Sequence, residues 1–333
     1  MKGMKLALIG ATGLVGQKML EVIAEQQIGF SELLPVASER SVGKLVFVSG
    51  KSYPVVSADE ALEAAPQLVL MSAGAAVSRR LAPLFVARGA VVIDNSSAWR
   101  RDEDKALVVP EINADKLKKG PQIIANPNCS TIQLVMALKP LHGAFGIKRL
   151  VLATYQSVSG SGQKGMQQLE DEAEGKQSVQ PAYPHPIHRN IIPHGGDFDA
   201  SGYTTEEDKL VFETHKILND PNIAITATVV RVPVSGGHSI AANIETHKPF
   251  DLEAVKQLLQ AFPGIVVQDD PAENQYPMPL FAADKDEVFV GRIRRDFSIA
   301  NGLNMWIVAD NLRKGAATNA VQIAKYLIDN NLI

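Results

Sequence analysis

Short continuous apolar runs alternate with stretches of helical period through the first third of the chain, the pattern of strands buried on both faces of a parallel sheet. KLALIG (Lys5 to Gly10) is the first such run. Behind it Val15, Met19, Val22 and Ile23 recur at helical spacing, which predicts an amphipathic helix over Gly13 to Glu25. LLPVAS (Leu33 to Ser38), QLVLMSAG (Gln67 to Gly74), AVVIDNSS (Ala90 to Ser97) and QIIANPNC (Gln122 to Cys129) read as further strands. Ser78 to Gly89 reads as a helix between two of them.

From about residue 130 the strands become longer and alternate polar with apolar positions. Arg149 to Val158, Ile225 to Val234, His238 to His247, Phe289 to Phe297 and Leu303 to Asp310 follow this pattern. A helix is expected over Ser130 to Leu138. The tail from Gly315 to Leu332 places Ala320, Ile323, Ala324, Leu327 and Ile328 on one helical face. Pro181 to Gly196, rich in Pro and His, reads as an ordered excursion or loop. The class is therefore α/β, with an α+β second domain of antiparallel strands and intervening helices after residue 127 or so.

A chain of 333 residues is long enough for about two domains. The formal net charge is −3 and no basic run stands out, so neither nucleic acid nor an anionic membrane is an expected partner. No stretch reaches the roughly 20 apolar residues that cross a bilayer. Lys2 and Lys5 precede an apolar segment in the manner of a leader, but Gly10, Thr12 and Gly13 interrupt it, and a strand running into a glycine turn explains it better. With one cysteine, Cys129, there is no disulfide framework and no multi-cysteine metal site, which fits a reducing cytoplasmic setting.

GATGLVG (Gly10 to Gly16) follows a strand and opens a helix, the context a dinucleotide fingerprint requires, so the first domain is expected to be Rossmann-like. Gly10 and Gly13 let the backbone turn and approach a pyrophosphate, Gly16 lets helix and strand pack closely, and N–H groups at the helix start meet the anion. Beyond the second strand, Ser38, Arg40 and Ser41 suit the 2′-phosphate of NADP, whereas Glu39 suits the free ribose hydroxyl of NAD. Cys129 stands at a strand end and near the start of a helix, where the helix dipole favours the thiolate. A thiolate nucleophile beside a nicotinamide implies thioester chemistry, and His238, after Ser235-Gly236-Gly237, is the candidate acid/base. His185, His188 and His194 have no helical face and no acidic companion, so no metal is expected.

Six motifs, in order along the chain, resemble the aspartate-semialdehyde dehydrogenase family, in its shorter bacterial branch. They are GATGLVG, NPNCSTIQ (Asn126 to Gln133), ATYQSVSGSG (Ala153 to Gly162), ETHKI (Glu213 to Ile217), RVPVSGGHS (Arg231 to Ser239) and GLNMWIVADNLRKGAATNA (Gly302 to Ala320). The resemblance implies NADPH-dependent reductive dephosphorylation of aspartyl 4-phosphate to aspartate semialdehyde and phosphate, in the biosynthesis of lysine, diaminopimelate, threonine and methionine. Cys129 would be the nucleophile, His238 the acid/base titrating near working pH, and Gln156 the residue that orients the reacting group. Arg231 would take the substrate carboxylate, Glu213 its ammonium, and Arg100, Lys216 and Asn128 the phosphate. Gly10, Thr12, Gly13, Leu14, Val15, Gly16, Ser38, Arg40 and Ser41, with Ser159, Gly160 and Asn311, would hold the cofactor.

The position of Asn311 implies that the C-terminal helix returns to the first domain. The expected division is then 1–127 completed by 312–333 for NADP, and 128–311 for catalysis and dimerisation in a homodimer or homotetramer. Rival readings are N-acetyl-glutamyl-phosphate reductase, whose cysteine motif resembles NPGCY and which has less need of Glu213, and a non-catalytic NADP-binding paralogue.

Overall fold

The structure is a computed structural model that describes residues 3–333; Met1 and Lys2, the first lysine of the leader-like segment, lie outside the described residues. It divides into two compact units, residues 1–128 with 316–333, and residues 129–315.

In the first unit the elements run β1 (Lys5–Ile9), α1 (Leu14–Glu25), β2 (Glu32–Val36), β3 (Leu45–Val48), β4 (Lys51–Pro54), α2 (Ala58–Glu63), β5 (Leu68–Met71), α3 (Ala75–Ala87), β6 (Val91–Asp94), β7 (Ala106–Leu107), α4 (Pro110–Asn113) and β8 (Gln122–Ala125). Six strands form one sheet in the order β2-β1-β5-β6-β8-β7, and every pairing in it is parallel. Leu6, Leu8, Met19 and Ile23 pack on one face of this sheet, and Ala7, Ile9, Leu81 and Phe85 on the other. Burial on both faces explains the continuous apolar runs. The β3–β4 hairpin and α2 were not legible in the period; α2 announces itself only through the capping box of Ser57 and Glu60.

The second unit contains α5 (Cys129–Phe145), β9 (Ile147–Gln156), α6 (Gly162–Ala173), α7 (Thr205–Leu218), β10 (Ala224–Arg231), β11 (His238–Thr246), α8 (Leu252–Ala261), β12 (Ile265–Val267), α9 (Pro279–Ala282), β13 (Val288–Asp296) and β14 (Gly302–Ala309). Its sheet runs β10-β9-β11-β14-β13-β12. The expectation of antiparallel strands holds for β9–β11, β11–β14 and β13–β14, but β9–β10 and β12–β13 are parallel. The reason is the long crossover between β9 and β10, which carries α6, the Pro- and His-rich segment and α7. That segment is ordered: Tyr183, Ile187 and Ile192 share a small core with Val158, and Ile192 exchanges both backbone hydrogen bonds with Arg231 at 3.0 and 2.8 Å.

Helix α5 continues past Leu138 and through Pro140 to Phe145. Its run from Ser130 to Leu138 is buried on every side, so packing rather than an amphipathic stripe holds it. The chain then closes with a π-helical turn (Arg313–Ala317) and α10 (Thr318–Asp329). Ala320, Val321, Ile323, Ala324 and Leu327 of α10 belong to the core that also contains Leu6, Met19 and Ile23, so the last helix is part of the first unit. Among the described residues no helix is long and apolar enough to cross a membrane.

Candidate active site

The glycine turn of the first unit sits where the order of strands reverses, with β2 on one side of β1 and β5 on the other. Open parallel sheets bind ligands at that switch point, beyond the carboxyl ends of the strands. Gly10 takes φ +90°, and a Cβ there would lie 2.3 Å from the Ser72 carbonyl oxygen. A Cβ on Gly16 would lie 2.1 Å from the Gly10 carbonyl oxygen, so helix α1 can approach the turn only because residue 16 is glycine. Gly13 differs from the expectation: its φ is −80° and a Cβ would meet only an ordinary contact. It caps α1 without a side-chain hydrogen bond, so no cap side chain satisfies the first N–H groups of the helix, and Gly13 itself lines the cleft.

That cleft, of about 480 Å³, is lined by Gly10, Thr12, Gly13, Ser38, Glu39 and Arg80, among others. Bare glycine backbone, an uncapped helix start and hydroxyls at the ends of β1 and β2 fit a dinucleotide. Leu14, Val15 and Gly16 form the first turn of α1 and do not line the cleft. Arg40 and Ser41 lie in a short 3₁₀ turn (Glu39–Ser41) and do not line the cleft, Ser41 being buried. Arg80 of α3 does line it, and sequence reasoning passed over it because a second arginine on an amphipathic helix reads as solvated surface. Arg100, which the sequence alone would leave on the surface, is buried at 6 % exposure and donates to the Asn95 carbonyl at 2.9 Å. Asn128, also buried, ends the first unit.

The second unit assembles the reactive groups on a single row of its sheet. Gln156 at the end of β9 lies directly opposite Arg231 of β10 on one side and His238 of β11 on the other. Arg231 Nη1 donates to the Ser157 carbonyl at 3.3 Å. Cys129 opens the 17-residue helix α5, at the positive end of its dipole. The next residue, Ser130, accepts a hydrogen bond from Gln156 Nε2 at 2.9 Å, and Gln133 one turn on donates to the His238 carbonyl at 3.1 Å. Gly315 is glycine because of this helix: a Cβ there would lie 2.9 Å from Cys129 Cβ. Glu213 and Lys216 lie one turn apart on α7, Glu213 fully buried and Lys216 half-buried. That helix is seated by a capping box of Thr204 and Glu207, whose carboxylate also accepts from Val229 N–H at 3.0 Å.

His238 is fully buried, and the cost of charging it there, with the Arg231 guanidinium adding to it, pulls its pKa down to about 3. The ring is therefore neutral at physiological pH, where the sequence led us to expect titration. Among the described residues, His238 Nε2 and Gln156 Oε1 are among the buried polar atoms with no hydrogen-bond partner. A Cβ on Gly160 would come within 2.8 Å of Arg231 Nη1 and 3.1 Å of His238 Nε2, so glycine at 160 keeps both groups open to a ligand. Ser159 and Asn311, expected at the cofactor, are hydrogen-bonded to each other beside the same histidine. Gln133, Ser157 and Gly315 escaped sequence reasoning, since none carries a group that by itself suggests chemistry. Among the described residues no group of three or more His, Cys, Asp and Glu could hold a metal ion.

Residues 5–120 match the model of the semialdehyde dehydrogenase NAD binding domain, and residues 138–314 that of the semialdehyde dehydrogenase dimerisation domain. The chain belongs to the semialdehyde dehydrogenase family. A member of this family from Aquifex aeolicus, an aspartate-semialdehyde dehydrogenase, is 49% identical over 99% of this chain and 100% of its own. The crystal structure of aspartate semialdehyde dehydrogenase II from Vibrio cholerae, complexed with ASA, is 42% identical, covers 99% of each chain and superposes with a TM-score of 0.93. That of the Candida albicans enzyme with NADP is 28% identical, covers 99% of this chain and 100% of its own, and has a TM-score of 0.76. The family fold is thus the α/β, Rossmann-like unit and mixed-sheet unit described above.

Proposed function

We infer that the protein is an aspartate-semialdehyde dehydrogenase, which makes aspartate semialdehyde and phosphate from aspartyl 4-phosphate with NADPH, on the route to lysine, diaminopimelate, threonine and methionine. The observation that carries this reading is the row Arg231, Gln156, His238 across three neighbouring strands, tied by Ser130 to the helix that Cys129 opens. Cys129 Sγ attacks the acyl carbon and phosphate departs, leaving a thioester. Gln156, whose amide cannot change charge, orients the reacting group. His238 acts at the reacting oxygen. When bound, the nicotinamide cofactor supplies the hydride that turns the thioester into the semialdehyde.

Arg231 takes the substrate carboxylate, and Glu213 its ammonium. A buried glutamate suits a cationic substrate, which speaks against an acylated amine and so against N-acetyl-glutamyl-phosphate. Arg100, Lys216 and Asn128 take the phosphate. Gly10, Thr12, Gly13, Leu14, Val15, Gly16 and Ser38 hold the dinucleotide, Ser159, Gly160 and Asn311 its nicotinamide end. NADP rather than NAD is supported by Ser38 and Arg80 on the cleft wall, with Arg40 and Ser41 in the adjoining turn behind them, set against Glu39, which also lines the cleft. The enzyme works as a homodimer, with the face of the second sheet that bears the paired rings of Tyr155 and Trp306, 5.4 Å apart, as the contact. A thiolate nucleophile has to stay reduced, which suits the cytoplasm.

Phosphate-dependent reduction of NADP by aspartate semialdehyde tests the reading. Robust turnover, with NADP strongly preferred to NAD and lost on Arg231→Ala, is expected; folded protein that binds NADP without turnover would make it the non-catalytic paralogue.

A further inference from the structure

The loop between β6 and β7 is tied back on itself. Asp94, the last residue of β6, is fully buried, and its carboxylate accepts from Ser78 Oγ and Ser96 Oγ at 2.6 Å each and from Ser96 N–H at 2.9 Å. Both hydroxyls in turn accept from further along the loop. The Trp99 indole N–H donates to Ser78 Oγ at 2.8 Å, and Ala98 N–H donates to Ser96 Oγ at 3.2 Å. An indole N–H can only donate, so the proton of the Ser78 hydroxyl is committed to Asp94. Arg79 of α3 donates to the Ala98 carbonyl at 2.6 Å and stands over the Trp99 ring, 5.4 Å from its centre. Arg100 follows directly. Its Nη2 returns to the Asn95 carbonyl, and Asn95 is itself held by Asn126 Nδ2, which donates to its Oδ1 at 2.7 Å. Both ends of the Arg100 side chain are thus referred to the end of β6: the backbone through Trp99, Ser78 and Asp94, the guanidinium through Asn95.

We propose that Ser78 and Asp94 are positioning residues which, through the indole N–H of Trp99, hold Arg100 ready for the phosphate group of the substrate. The proposal rests on the assignment of Arg100 to phosphate above. A long side chain that is free in solution loses its rotamer freedom when it grips an anion, whereas one braced beforehand has lost it already and binds without that cost. The fold alone gives no reason for a carboxylate at position 94. Leu81, Ala82 and Phe85 already share a core with Val92, which joins α3 to β6 without any polar group. A buried carboxylate is costly unless donors surround it, and the donors here come from α3 and from the loop that carries Arg100. The loop also leaves the carboxyl end of an inner strand of the parallel sheet, which is where such sheets place the groups that hold ligands.

The test is a double-mutant cycle in the phosphate-dependent reduction of NADP by aspartate semialdehyde, read as kcat/KM for inorganic phosphate. Ser78→Ala should lower that value about tenfold, with KM for NADP and for aspartate semialdehyde within about twofold of wild type. Trp99→Phe, which keeps a ring and removes the N–H, should do the same. Arg100→Gln should lower it about a hundredfold, and in that background neither substitution should cost more than about twofold, because no guanidinium remains to be placed. An unchanged phosphate kcat/KM in Ser78→Ala and Trp99→Phe, an equal loss toward all three substrates, or the same tenfold loss repeated without Arg100 would each overturn the positioning role. Arg100→Gln separates these outcomes from failure of the phosphate assignment: a phosphate kcat/KM that survives it removes Arg100 from the site, and the proposal with it. Folded wild type without any turnover overturns the thioester reading and the proposal together.

Discussion

Gln156 Nε2 donates to Ser130 Oγ at 2.9 Å, and through that bond the end of β9 holds the first turn of the helix that begins at Cys129. Removing the hydroxyl leaves a buried amide without its acceptor, which costs about 1–3 kcal/mol and lets the Gln156 side chain turn away from the reacting group. Ser130→Ala should therefore lower kcat by roughly tenfold while leaving NADP affinity within about twofold of wild type. Steady-state kinetics beside a binding titration check this. Equal losses in both would mean that the bond serves the fold and not the site.

Gly16→Ala places a methyl group 2.1 Å from the Gly10 carbonyl oxygen, which is backbone and has no room to retreat. Overpacking at such a point costs about 1–3 kcal/mol. The turn has to open, so NADP affinity should fall about tenfold or more, together with the melting temperature. Gly13→Ala, where a Cβ meets only ordinary contact, should leave the melting temperature unchanged while still crowding the cleft. Paired thermal melts and NADP titrations separate the two glycines.

Leu327 on α10 is fully buried in the core that also holds Leu6, Met19 and Ile23. Leu327→Ala should destabilise the first unit by about 2–5 kcal/mol in denaturant unfolding. Asn319, on the same helix, donates to Asn126 Oδ1 at 2.7 Å and to the Val108 carbonyl at 2.9 Å. Removal of residues 318–333 should abolish NADP binding along with folding of that unit. A soluble truncated protein with wild-type NADP affinity would contradict the return of the last helix.

Burial holds His238 at a pKa of about 3, well below the value it regains on unfolding, near 6.5. The unfolded chain then binds a proton that the folded one refuses as pH drops below about 6.5, so stability present above that value is lost on the way down to about 3. The loss attributable to this group is on the order of a few kcal/mol. His238→Gln should flatten the acid limb of stability against pH, as measured by urea unfolding at a series of pH values; an unchanged limb would show that folding does not lower the pKa of the ring.

Much of the fold could be read from the period of apolar residues, because strands buried on both faces and amphipathic helices leave opposite signatures. The parallel sheet around Leu6, Leu70 and Ile93 was legible for that reason, as was α10. Elements held by capping, such as α2, or by burial on all sides, such as α5 beyond Leu138, were less so. The parallel pairing of β9 with β10 depends on a crossover, which no local pattern encodes. Among the site residues, Cys129 and the glycines declared themselves through context. Arg100 and Glu213 look like ordinary surface charge in the sequence pattern; the motif resemblance singles them out, and their burial sets them apart from surface charge. Ser157 and Gly315 matter through a peptide carbonyl and a missing Cβ, features that the identity of a side chain does not reveal.

The most direct test of the central claim is phosphate-dependent NADP reduction by aspartate semialdehyde, measured on wild type and Cys129→Ala side by side. Turnover in the wild type and its complete loss in a variant that still folds and binds NADP is the predicted result. Turnover that survives without the thiol would contradict the thioester mechanism.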